Sequence, residues 1–64
     1  MSRAAVLADL AGMNGNKAKL MQKYSDEQRR ILNSYGGNLS DIPMSQDNPY
    51  HKLQDKIEIL SRLE

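Results

Sequence analysis

The sequence predicts an all-α protein: an antiparallel helical hairpin plus a short N-terminal helix, completed by oligomerisation or a partner. Three observations lead there. Apolar residues recur at helical spacing in two separate stretches. Helix start and stop residues bracket those stretches, with Asn16 and Asn48-Pro49 at the starts and Gly36-Gly37 at one end. The chain has only 64 residues, with 39% apolar residues and 5% aromatic ones, so its side chains are small for building a core. It has no cysteine, which removes both disulfide and thiolate-metal staples. One small helical domain over 1–64 is expected, with helices about 2–11, 17–35 and 49–63.

The first helix rests on Ala4, Ala5, Val6, Leu7, Ala8, Leu10 and Ala11, with Ser2 able to cap it. Val6, Leu7 and Leu10 fall at i, i+3 and i+4 spacing. A helix of this length is too short to stand alone and must dock on something. Gly12 and Gly15, around Met13 and Asn14, mark the break after it.

The second helix carries Met21, Tyr24, Gln28, Ile31 and Tyr35 at 3-4-3-4 spacing, one stripe with a single polar member. Asn16 is the expected N-cap and Gly36-Gly37 the left-handed stop. Ser25-Asp26-Glu27-Gln28 has the form of a capping box, which would allow a fresh start at Ser25. The stripe keeps its phase across it, so one continuous helix is expected.

Turn formers dominate 36–48. Leu39, Ile42 and Met44 alternate with polar residues there, and Pro43 pushes Ile42 out of the helical region. An ordered loop is expected, extended in part, with these three side chains closing one end of the helix pair. The alternative is a mobile linker exposing them to a partner.

Asn48 followed by Pro49 at the first helical position opens the third helix. Tyr50, Leu53, Ile57 and Leu60 form its stripe, widened by Ile59 and Leu63. Glu58 and Arg62 stand in the favourable order for a helical ion pair.

Charge and motifs exclude more than they assign. Nine Lys and Arg oppose eight Asp and Glu, for a net charge of +1. A surface that tracks phosphates usually shows a much stronger basic excess. Lys23, Arg29 and Arg30 are the candidate nucleic-acid contacts, in a reading that is not favoured. The thirteen residues between the second and third helices far exceed the turn of a helix-turn-helix reader.

His51 is the only histidine, flanked four residues away by Asp47 and Asp55. One imidazole and two carboxylates fall short of the usual zinc ligand set, and a surface histidine is expected. The carboxylate pairs Asp26-Glu27 and Asp41-Asp47 read as helix-face and turn residues, not an acid–base pair. The serines lie in no nucleophile elbow, and the glycines match no phosphate loop. These readings make the chain a non-catalytic one, with no cofactor, metal or small-molecule substrate. No run is long enough to span a membrane, and Ala4–Leu10 is short and carries Asp9, unlike a signal-peptide core. An intracellular location, in a host cytoplasm, or a place in a virus particle is expected.

Two resemblances bear on function. The order helix, glycine-containing loop, helix is similar in outline to a family of small sporulation phosphatases. Those carry a Ser-Gln-Glu-Leu-Asp run where this chain reads Leu53-Gln54-Asp55-Lys56-Ile57, so their activity does not carry over. Tyr35-Gly36-Gly37-Asn38-Leu39-Ser40-Asp41-Ile42-Pro43, followed by Asn48-Pro49-Tyr50, resembles segments of short helical proteins encoded by tailed bacteriophages. That resemblance covers about a quarter of the chain and implies a virion or accessory protein.

The expectation is a protein–protein interaction protein that binds copies of itself or another protein. Its alternatives are a small inhibitor or regulator of a host protein and a weak nucleic-acid binder. Val6, Leu7, Leu10, Met21, Tyr24, Ile31, Leu53, Ile57 and Leu60 would supply core and interface together. Met13, Tyr35, Met44 and Tyr50 complete the expected contact set, the loop methionines being adaptable to a partner's surface.

Overall fold

The computed structural model describes residues 3–45 and 47–63. Helices take up 75% of them, and no strand occurs among the described residues. The order is α1 (Arg3–Gly12), α2 (Lys17–Ser34), a 3₁₀ turn over Leu39–Asp41, and α3 (Pro49–Arg62). The N-cap expected at Ser2 lies outside the described residues.

Each boundary has a local cause. The Asn16 side-chain oxygen accepts the Lys19 N–H at 3.1 Å, and that of Asn48 accepts the Tyr50 N–H at 2.9 Å. Each satisfies one of the donors that a helix start leaves unpaired. α1 and α2 end in the same way. Asn14 N–H reaches Ala11 O at 3.1 Å and Gly15 N–H reaches Leu10 O at 2.9 Å. Gly36 and Gly37 repeat the pattern on Asn33 O and Leu32 O, both at 3.0 Å. This is the paired-bond stop that requires a left-handed residue just past the helix. Gly36 fills that place at φ 75° and Asn14 at φ 56°. The break after α1 therefore turns on Asn14, and Gly12, expected to form it, is the last residue of the helix itself. Ser25 interrupts nothing, and α2 runs through it as one helix.

α2 and α3 are antiparallel, as three contacts along their length show. Lys17 Nζ donates to Leu63 O at 2.6 Å at one end. Gln28 Nε2 donates to Gln54 Oε1 at 2.8 Å midway. Asn48 Nδ2 donates to the Tyr35 hydroxyl at 3.4 Å at the other end. The polar member of the α2 stripe thus meets a polar partner across the hairpin. α1 packs against both long helices. Val6 and Leu20 are 0% exposed and join Tyr24, Leu53 and Leu60 in one core cluster. Leu10, Met13, Met21, Ile31, Ile57, Ile59 and Leu63 pack around it, partly buried.

Three expectations are corrected here. The α2 stripe is centred on Leu20 and Tyr24, with Met21 at its margin, because α1 approaches that side of the helix. In the loop only Ile42 packs inward; Leu39 is 59% exposed and Met44 87%. The 3₁₀ turn over Leu39–Asp41 breaks the alternation that would have kept three side chains on one side. The Glu58–Arg62 ion pair does not form; among the described residues the ion pair joins Lys56 and Asp9.

Candidate functional site

Two polar and loop features stand out from the helical frame. The first is a junction of all three helices. The Tyr24 hydroxyl of α2 donates to Asp9 Oδ2 of α1 at 2.6 Å. Lys56 Nζ of α3 reaches the same oxygen at 3.3 Å and lies 5.7 Å from the centroid of the Tyr24 ring. The Tyr24 hydrogen bond and the Lys56 ammonium hold the Asp9 carboxyl below its ordinary range, against an opposing effect of burial. Burial, then the Asp9 carboxylate, pushes the Tyr24 phenol well above its usual value. Asp9 Oδ2 thus accepts from α2 and is reached by the Lys56 ammonium of α3, so the arrangement fastens α1 to the hairpin. Sequence reading missed it: Asp9 and Lys56 sit 47 residues apart and nothing in their spacing links them.

The second feature is the connection between α2 and α3, which is ordered at both ends and displays its middle. Asn38 Oδ1 accepts from the Ser40 N–H at 3.1 Å and from the Ser40 hydroxyl at 2.7 Å. Ile42 is buried. His51 Nε2 lies 2.9 Å from the Pro43 carbonyl oxygen. A carbonyl only accepts, so this assigns the proton to Nε2. The His51 ring also meets Tyr50 edge-on, with centroids 5.7 Å apart. Held in this way, the loop exposes Leu39 and Met44 on either side of the buried Ile42.

The expected contact residues divide into three groups. Val6, Tyr24, Leu53 and Leu60 are enclosed by the chain itself, so they are core and present no surface to a partner. Leu10, Met13, Met21, Ile31 and Ile57 are partly covered by the same core, and Tyr35 and Tyr50 are half-buried near the loop. Leu7, at 46% exposure, and Met44 remain on the surface. Leu39, expected either to pack against the helix pair or, in the alternative reading, to be exposed to a partner, joins them.

The basic candidates do not converge. Lys23 and Arg30 line an open groove of about 440 Å³ beside α2, together with Asp26 and Glu27. Arg29 lies elsewhere, beside Leu32 and Tyr50. Two carboxylates thus interrupt the positive surface that a phosphate backbone would follow. His51 is bound to the loop backbone, and no group of three or more His, Cys, Asp or Glu converges among the described residues. No helix among them is long and apolar enough to cross a membrane.

Comparison with protein-family models, with curated proteins and with solved structures returned no match. The fold defines this chain as a small all-α protein, a helical hairpin with a third, short helix docked on it.

Proposed function

We propose that this is a small non-catalytic protein that works through protein–protein contact, with loop residues 38–45 as its contact element. The observation that carries the reading is the display of Leu39 and Met44, 59% and 87% exposed, on a loop anchored by Ile42 and by the His51–Pro43 hydrogen bond. Large apolar side chains held in place outside a core favour removal from water by another surface. A preorganised loop loses less entropy on docking than a mobile one. The bacteriophage-like loop segment supports a virion or accessory setting. An inhibitor of a host protein would use the same loop.

The test is the double substitution Leu39→Ser and Met44→Ser. Both sites are exposed, so helicity should be unchanged and stability should stay within about 0.5 kcal/mol of the parent chain. Association, measured by light scattering on the purified chain and by photo-crosslinking from position 45 in its native host, should be lost. Crosslinks to nucleic acid alone, or protein association unchanged by the double substitution, would overturn the reading.

A further inference from the structure

The loop has a complementary surface at the other end of the same molecule. Arg3, Ile59, Arg62 and Leu63 line an open groove of about 270 Å³ where α1 begins and α3 ends. Two of its lining residues are aliphatic and two are arginines. Among the described residues neither Arg3 nor Arg62 has a carboxylate within ion-pair distance. The loop carries the opposite set: Leu39 and Met44 as apolar side chains, and the exposed carboxylates of Asp41 and Asp47, which likewise have no cation within that distance. Two apolar side chains and two anions on the loop would therefore meet two aliphatic side chains and two cations at the groove.

The chain cannot satisfy this match by itself. α3, with 14 residues, separates groove from loop by about 21 Å along its axis. We propose that the occupant of the Arg3–Arg62 groove is the loop of a second copy, through its Leu39, Asp41, Met44 and Asp47, giving head-to-tail association of this chain. This rests on the reading of the loop as a contact element and names its partner. The two surfaces differ, so the contact is heterologous. It leaves one loop and one groove open at the ends and adds copies until a ring closes or a filament grows. Opposite charges on the two surfaces make it weaker at high salt.

The experiment uses the full chain and two variants, Arg3→Glu with Arg62→Glu, and Asp41→Lys with Asp47→Lys, each checked for parental helicity. Molar mass is followed by light scattering over a dilution series. The parent chain should gain mass steadily with concentration, and each variant alone should associate at least about tenfold more weakly, as expected when like charges face one another across a contact. Mixing the two variants should restore association, because the unaltered loop of one meets the unaltered groove of the other and the two reversed surfaces are again opposite in charge. Leu39→Ser with Met44→Ser gives a loop variant without charge change and should also fail to associate with itself. A parent chain that stays monomeric throughout overturns self-docking and leaves the loop open to a different protein. Association that ignores the groove variant but not the loop variant overturns the groove alone. Association that ignores both overturns this inference and the loop reading together.

Discussion

At the scale of single residues, the Asp9–Tyr24–Lys56 junction makes the fold respond to pH at both extremes. The folded carboxyl of Asp9 is held below its ordinary value of 3.8. Its contribution is therefore complete above that value and is lost as pH falls through the lowered one. The Tyr24 phenol is held above its ordinary value of 10.0, so its contribution is complete below pH 10 and is lost as pH rises beyond it. Urea midpoints should therefore fall below about pH 4 and again above about pH 10. Tyr24→Phe removes the 2.6 Å hydrogen bond while keeping the ring. It should cost about 1 kcal/mol at neutral pH and flatten the alkaline decline. Asp9→Asn should flatten the acid decline. None of this was legible in the sequence, where Asp9 reads only as a polar interruption of an alanine-rich helix.

At the scale of elements, two glycines test the helix stops in opposite directions. Gly12 is helical and a Cβ there would meet nothing within 4 Å. Gly12→Ala should raise stability by about 0.5–1 kcal/mol, because it removes unfolded-state freedom without strain. Gly36 has the same open space but φ 75°. Gly36→Ala should lower stability by about 1–2 kcal/mol, the cost of a left-handed L-residue. Thermal melts of the two variants side by side check the pair. Asn48 joins two elements: its oxygen caps α3 and its amide nitrogen reaches Tyr35 at the end of α2. Asn48→Ala should cost about 1–2 kcal/mol by chemical denaturation, at the upper end for a cap because the residue is also buried. The cap was readable from the Asn-Pro pair; its second bond was not, since it depends on where α2 ends in space.

At the scale of the whole molecule, the core closes within one chain. Val6 of α1 is as fully buried as Leu20 of α2, which places the short helix in the core and not merely against it. Leu20→Ala should cost about 2–5 kcal/mol. A chain of this size has about 3–10 kcal/mol in total, so circular dichroism should show a melting temperature well below that of the parent chain. Under the proposed function, partner binding falls to surfaces outside that core: the loop at one end and the Arg3–Arg62 groove at the other.

The sequence by itself determined the helices, their starts and most of their stops, because these depend on neighbours within a few residues: apolar spacing, an asparagine cap, a proline at the first position, a glycine beyond the last. It also determined the hairpin, since two apolar stripes on helices joined by a short ordered loop must meet. Only the tertiary structure decided which part of each stripe became core. Leu20 displaced Met21 from the centre because α1 covers that side of α2, a contact between residues far apart in the chain. Only the tertiary structure turned Leu39 and Met44 outward, because the 3₁₀ turn and the buried Ile42 reset the direction of the loop. Side-chain direction in an irregular segment depends on what it packs against, and no local period encodes that.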